Sequence, residues 1–503
     1  MEIGELRLGR VWHLSCLNSN ILCPIFFIVL IKIVRLSSLI LWIYFCNLLG
    51  EKMLAKAFRN FMIKRTISAK LRNRGMNTFS NYEILKNIRI NAEEKRKAEN
   101  RPHEILYFHK VDDPYSHLTI NFIDKIKSSF EVSIKPILVG EENAEAVHEP
   151  SLYNIYCLQD AKRIAPFYEV ELTSDSYPSQ DLVGISNSIL TAVEDKNFTE
   201  IAKKVGTALW SGDKESLTAL GIQYEATESE VSEKLELGNK IRNEKDYYFG
   251  SAFYYEKELY WGVDRIPHLE KRLIDLGVKS INYNEPICTP KIQAPPTLVS
   301  EEKINLSYYP SLNSPYTYVS AKRVREMRDH YPINLITRPV LPMLMRNMNI
   351  PEYKGKYIIS DAAREGRRYG YPMGSIYSPI GKPARKAYSL FPAIDEAGKG
   401  FEYIDALLKA SFSDGINIGD TEYLESLVHS LELDWSNIRK DLNTRKWKKV
   451  LDDNLKDMYA GDCWGVPSFK ITNADGSDPF YVWGQDRIWL LKEEINKRLS
   501  STG

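Results

Sequence analysis

Leu306-Ser-Tyr-Tyr-Pro-Ser-Leu-Asn-Ser-Pro-Tyr-Thr-Tyr-Val319 is the stretch whose reading decides the fold. An apolar, β-prone run from Ile304 to Tyr309 ends in a short loop that closes with Ser314-Pro315. From Tyr318 to His330 the spacing predicts a helix, with Val319, Val324 and Met327 on one face. Pro315 suits the first turn, where no backbone N–H is needed. Ser314 therefore falls at the N-cap, beside free N–H groups and the positive end of the helix dipole. An anion such as a thiolate is favoured there. Capping alone would also explain a serine at this position.

At 503 residues the chain is long enough for two or more domains. Its 44% apolar and 26% charged content is ordinary for a globular protein, and a net charge of +1 offers no general attraction for nucleic acid. No nucleic-acid partner is expected. The six cysteines (16, 23, 46, 157, 288, 463) form no Cys-x-x-Cys and no metal-ligand spacing. That argues against a disulfide framework, a zinc site and dithiol redox chemistry, and no metal is expected.

Residues 1–75 are an N-terminal extension with three readings. Ile21 to Leu49 is long enough to cross a bilayer. Lys32 and Arg35 at its centre oppose insertion by roughly 2.5–3.5 kcal/mol each. A basic run follows, Lys52 to Arg74, with eight Lys/Arg. As an anchor, the segment would leave everything downstream in the cytoplasm. It also reads as a targeting segment, or as untranslated sequence upstream of a start at Met53 or Met76. Residues 76–101 form a helical lead-in, whose polar, Lys/Glu-rich part reads as solvated.

The opening motif occurs twice. Ile105-Leu-Tyr-Phe-His109 is a strand, followed by a loop, Asp113-Pro114-Tyr115 and a helix to about Phe130. Asp113 stands against Ser314 at an offset of 201, and so do Tyr156 and Asp160 against Tyr357 and Asp361. Pro136 stands against Pro339 at 203, and Gly262-Val-Asp264-Arg265 against Gly484-Gln-Asp486-Arg487 at 222. Loop insertions produce such growth. The chain thus divides into repeats at 102–280 and 302–500, joined by a Pro-rich linker over 281–301. In the second repeat a helical region over about 383–459 shows apolar faces at Phe401, Ile404, Leu407, Leu408 and at Tyr423, Leu424, Leu427, Leu431, which read as core. Ser468-Phe-Lys-Ile471 and Pro479-Phe-Tyr-Val-Trp483 form a hairpin around Asn473-Ala-Asp-Gly476.

The pattern resembles kappa-class glutathione transferases and 2-hydroxychromene-2-carboxylate isomerases, of the DsbA-like branch of the thioredoxin fold. The resemblance rests on Ser314-Pro-Tyr, Thr337-Arg-Pro-Val-Leu341, Asn349-Ile-Pro, Lys354-Gly-Lys-Tyr-Ile-Ile-Ser-Asp361, Gly465-Val-Pro-Ser-Phe469 and Gly484-Gln-Asp-Arg487, in that order over 303–498. It implies an α/β chain of two tandem thioredoxin-like (DsbA-like) domains, each with a helical insertion between its βαβ and ββα parts, possible partners in a pseudo-dimer. It further implies glutathione as cofactor. Ser314 would stabilise the thiolate, while Pro315, Tyr316, Asn349, Val466, Pro467 in cis, Gln485 and Asp486 would hold the tripeptide.

Two activities share that thiolate: isomerisation of an aromatic or chromene-type carboxylic substrate, and transfer. A binding or scaffold protein is a third reading, and a disulfide oxidoreductase is disfavoured by the missing Cys-x-x-Cys. The expected substrate is small and aromatic or hydrophobic, with Tyr316, Tyr318, Tyr371 and Trp464 as candidate pocket residues, and Cys463 a nearby thiol of inert type. The resemblance fits a cytoplasmic protein, or one anchored with its globular part in the cytoplasm; membrane contact would come only through 21–74. In the first repeat Asp113 replaces the serine and Gly250-Ser251-Ala252 replaces Gly-Val-Pro, so this repeat reads as degenerate.

Overall fold

Two mostly buried runs, Glu104–His109 (β1) and Ile304–Tyr309 (β5), each form one of the two inner strands of a four-stranded sheet. In the first sheet β1 pairs in parallel with Ser133–Leu138 (β2) and antiparallel with Ala252–Tyr255 (β3), which pairs with Glu258–Trp261 (β4). In the second, β5 pairs in parallel with Ile333–Thr337 (β6) and antiparallel with Ser468–Thr472 (β7), which pairs with Phe480–Trp483 (β8). The orders β2-β1-β3-β4 and β6-β5-β7-β8 are the same. Burial on both faces explains why β1 and β5 read as near-continuous apolar runs rather than alternations.

The structure is a computed structural model, and it describes residues 66–283, 286–292 and 304–500. The apolar stretch 21–49 and much of the basic run and linker lie outside the described residues. Among those described, no helix is long and apolar enough to cross a membrane. Lys70–Gly503 forms one compact unit that contains both sheets.

The helix after β5 runs Pro315–His330, starting at the first residue after the cap. Its counterpart is broken into Pro114–Ile120 and Ile123–Ser129. The insertion in the second half comprises Lys382–Glu396, Gly400–Phe412, Thr421–Ser430 and Lys446–Tyr459, among others, and Ile404, Leu407, Leu408, Leu424 and Leu427 share one core there.

Strand register corrects two repeat alignments. Pro136 lies opposite Tyr107 and Thr337 opposite Tyr308, so Pro136 corresponds to Thr337 rather than to Pro339. Tyr107 and Phe253 are partners, as are Tyr308 and Phe469, which sets Ser251 rather than Ala252 against Pro467. The N–H of Gly262 bonds to the Ser251 carbonyl just as that of Gly484 bonds to Pro467. Offsets drift by a residue or two where loops differ, and only the hydrogen-bond ladder fixes them.

The end of the N-terminal extension and the lead-in form helices Thr66–Ser80 and Tyr82–Ala98, and the polar part of the lead-in is not merely solvated. Asn73 and Asn77 accept from the backbone N–H groups of Ser378 and Ile376 at 2.8 and 2.9 Å. Arg89 donates two bonds to Glu258 of β4. The lead-in thus grips both halves.

Candidate active site

Ser314 caps the helix Pro315–His330: its Oγ accepts from the Thr317 N–H at 3.1 Å and donates to the Val466 carbonyl at 3.3 Å. The Val466–Pro467 peptide is cis, as expected from the Gly-Val-Pro motif. A Cβ on Gly465 would come within 2.3 Å of the Trp483 ring. Glycine therefore lets this loop lie flat on β8. Ser314, Pro315, Tyr316, Val466, Pro467, Gln485 and Asp486 all line one cavity of about 230 Å³. Asn349 is exposed and lies outside that lining, although Ile350 beside it contributes. Of the candidate aromatics, Tyr316 and Trp464 line the cavity. Tyr318 and Tyr371 instead stack on each other at 4.7 Å in the helical core. Cys463 is fully buried, donates to the Gly461 carbonyl, and has its thiol pushed up to about 12 by burial.

The other wall comes from the first half, through His148, Tyr153, Tyr247, Tyr248, Phe249 and Trp261. Sequence reasoning missed these. His148 lies in a loop, Tyr153 on the helix Pro150–Ile164 and the rest just before β3 or at the end of β4, and nothing local marks them as facing another sheet. In the sequence Lys354 stands out only as part of the Lys354–Asp361 motif. In the structure it lines the cavity, donates to the Ala146 carbonyl, and is brought down to about 8 by burial. Burial, then Lys354 and Arg346 nearby, bring His148 down to about 4, so it is neutral at pH 7. Among the described residues, four buried polar atoms of the lining have no hydrogen-bond partner: His148 Nε2, Tyr247 Oη, Ser311 Oγ and Tyr357 Oη. Cys157 also lines the cavity, but burial raises its thiol far above neutrality.

Behind the cavity two arginines cross between the halves. Arg265 of the first half binds Asp361 through Nε and Nη2 at 2.8 Å each, and Asp486 through Nη1 at 2.7 Å. Arg487 of the second half binds Asp160 at 2.7 Å and Asp264 at 2.9 Å. Tyr115 donates to Asp160 and Tyr316 to Asp361, at 2.7 and 2.8 Å. Farther out, Arg163 donates to the Tyr481 carbonyl and Arg364 to that of Leu259. Every one of these contacts maps onto its counterpart when the halves are exchanged. Burial would raise the Asp361 carboxyl, but Arg265 and Arg364 outweigh it and hold the group at about 2. Gln485 is expected to hold a ligand, yet its side chain is already committed to Arg323, Glu365 and Asp486. Its amide N–H group reaches the Asp486 carboxylate.

In the first half Asp113 occupies the cap and accepts from the N–H groups of Tyr115 and Ser116 and from the Ser116 hydroxyl. Burial pushes its carboxyl up to about 6. A Cβ on Gly250 would meet Asp113 Oδ2 at 3.0 Å and Lys110 Cβ at 2.9 Å. The loop that corresponds to Val466 therefore closes down on the cap.

Residues 305–496 match the DSBA-like thioredoxin domain. The curated protein YwbO of Bacillus subtilis (strain 168), described as uncharacterised, is 33% identical over 100 residues, which are 19% of this chain and 50% of that protein. The chain thus spans about half the length of the curated relative it matches. Among solved structures, a 2-hydroxychromene-2-carboxylate isomerase is 16% identical and covers 39% of this chain and 95% of its own, with a TM-score of 0.33. The cytosolic disulfide reductase DsbM of Pseudomonas aeruginosa, solved with GSH, is 13% identical and covers 39% and 98%, with a TM-score of 0.30. A probable DsbA oxidoreductase of Streptomyces coelicolor is 14% identical and covers 40% and 92%, with a TM-score of 0.33.

Proposed function

We propose that the DSBA-like domain works as a glutathione-dependent isomerase of an aromatic or chromene-type carboxylic substrate, and that the first half is a second, degenerate copy of the same fold that completes the cavity. The observation that carries this reading is the Ser314 hydroxyl. It heads a 16-residue helix, opens on the cavity beside Val466–Pro467, and spends its one proton on a long bond to a carbonyl.

Glutathione suits the lining. Its two carboxylates and one ammonium need charges of both signs, and the cavity offers Lys354 and the partly exposed carboxylate of Asp486. The unpartnered His148, Tyr247 and Tyr357 atoms need polar partners of the kind peptide groups supply. When bound, glutathione supplies the nucleophilic thiol. Ser314 would turn its proton from the Val466 carbonyl to the sulfur, exchanging a weak neutral bond for a charge-assisted one of about 1.5–3 kcal/mol. The helix N-terminus adds about 0.3–1 kcal/mol. Lowering a thiol by two units from about 8.5 requires about 2.7 kcal/mol, which lies inside the range of about 1.8–4 kcal/mol that these two contributions span. Val466, Pro467 and Asp486 would hold the peptide. Tyr316 and Trp464, with Tyr153, Phe249 and Trp261 of the first half, would enclose a flat apolar acceptor. His148, neutral and unpartnered, is placed to carry a proton.

A transferase of kappa type is the second reading, since it needs the same activated thiol and differs only in releasing the adduct. Disulfide exchange is disfavoured because serine stands at 314, and because Cys157, the one thiol of the described lining, is held protonated. Cytoplasmic placement belongs to the same proposal.

The test is calorimetric titration of glutathione into the whole protein and into Ser314→Ala, with thiolate absorbance followed near neutral pH. Binding with a thiolate signal that Ser314→Ala abolishes is the expected result. Absence of binding at millimolar glutathione would end the catalytic reading in favour of a scaffold.

A further inference from the structure

The helical insertion of the second half holds a groove of about 1040 Å³ that the candidate active site does not use. The first turns of two helices line it. Lys382, Arg385 and Lys386 come from the start of Lys382–Glu396, and Arg445 and Lys448 from the head of Lys446–Tyr459. Neither helix has a side-chain cap, so the positive ends of both dipoles add to the five cations. Among the described residues of the lining, Asp452 is the sole carboxylate.

Charge on the same helix is treated differently outside the groove. Lys446 pairs with Asp441 and Lys449 with Asp453, each at 2.6 Å, and neither lysine belongs to the lining. Within the groove Lys386 bonds the Thr421 hydroxyl, and none of the five cations forms an ion pair among the described residues. Thr444, also in the lining, has a buried hydroxyl without a partner. Five like charges held around one concavity raise each other's energy, and an anion between them relieves all five.

We propose that this groove is a binding site for a small molecule carrying two or more phosphates. One phosphate would leave most of the cations uncompensated and most of the volume empty, since sites for whole small molecules run to about 300–1,000 Å³. Arg385 and Arg445 suit bidentate contact with phosphate oxygens, and the lysines supply point charge.

The full chain is titrated calorimetrically with inorganic tripolyphosphate and, separately, with orthophosphate. Tripolyphosphate binds saturably with one site per chain, about tenfold or more tighter than orthophosphate, and weakens as salt rises. The pair Arg385→Gln with Lys448→Gln lowers its affinity by about tenfold or more. The pair Lys446→Ala with Lys449→Ala, on the same helix but outside the lining, changes it less than about twofold. All four side chains are exposed, and a thermal melt of each variant confirms folding. Failure of the unaltered chain to bind saturably overturns the proposal. So does an equal loss in both double variants, which would mean diffuse surface charge, and so does binding of a single-stranded RNA without binding of tripolyphosphate.

Discussion

Ser314 and Asp113 cap corresponding helices and have opposite consequences for an incoming thiolate. The hydroxyl has a proton to give, whereas the carboxylate has none and repels. Capping and ligand binding therefore separate by substitution. Ser314→Ala removes the cap bond from the Thr317 N–H and costs about 1 kcal/mol of stability, read by urea denaturation. Ser314→Asp keeps a capping oxygen, so any stability it loses comes from the carboxylate facing the Val466 carbonyl rather than from a lost cap, and it abolishes glutathione binding in the same calorimetric titration. Asp113 makes a second prediction. Its folded carboxyl, at about 6, lies above its unfolded value near 3.8. Between those values the folded state holds the extra proton, so stability falls as pH rises from about 4 to 6. Asp113→Asn retains a capping oxygen without the buried charge. It is expected to flatten this part of the stability–pH curve and to add about 1–2 kcal/mol at pH 7.

At the level of elements, the loop Gly465-Val-Pro467 is set by what lies under it. The Trp483 ring of β8 occupies the space a side chain at residue 465 would need. Trp483 itself packs on Trp464 at 4.5 Å, and its backbone N–H donates to the Tyr156 hydroxyl at 2.7 Å. Gly465→Ala must therefore push the loop off β8 or break that contact between halves. The expected cost is about 1–3 kcal/mol, with glutathione affinity reduced in parallel. Unchanged stability and affinity would mean the loop relaxes freely. Strand β5, the helix after it, the β7–β8 hairpin and its Asn-Ala-Asp-Gly turn were all legible from period and turn chemistry. Register was not, as Pro136 and Ser251 show. A repeat offset measures chain length, while a sheet measures hydrogen bonds. Contacts before and within the lead-in were hidden for a related reason: Arg89 reads as solvated, and Asn73 and Asn77 as unremarkable, until partners far along the chain are known.

For the whole molecule, the crossed arginines matter most. Asp361 is buried with a negative charge that Arg265 of the other half neutralises. Arg265→Ala leaves Asp361 with Arg364 as its one remaining cation among the described residues and removes the buried partner of Asp486, and is expected to cost about 3 kcal/mol by denaturant titration, far more than an exposed pair would. Because Arg487 corresponds to Arg265, and Asp361 and Asp486 to Asp160 and Asp264, the isolated second half can satisfy Asp361 with the Arg487 of another copy. It is expected to sediment as a dimer in analytical ultracentrifugation, with dissociation favoured by Arg487→Ala. A stable monomer would show that the crossed pairs are dispensable.

The sequence by itself determined what local physics decides. Side-chain period set the strands and helices, proline and serine set the start of the helix at 315, and two similar series of motifs pointed to two sheets, which have the same strand order. It also singled out Ser314, Val466, Pro467 and Asp486 as candidates, because each sits at the end of an element in a recognisable pattern, and the structure brings the four to one cavity. Only the tertiary structure decided that Asn349 lies off the cavity, that Gln485 is already engaged, and that His148, Tyr247 and Phe249 of the first half close the wall opposite Ser314. It alone set Arg265 on Asp361 and Asp486. Those contacts join residues about a hundred or more positions apart across a symmetry between halves. Attraction between charges depends on distance in space, and the order of residues along the chain does not record it.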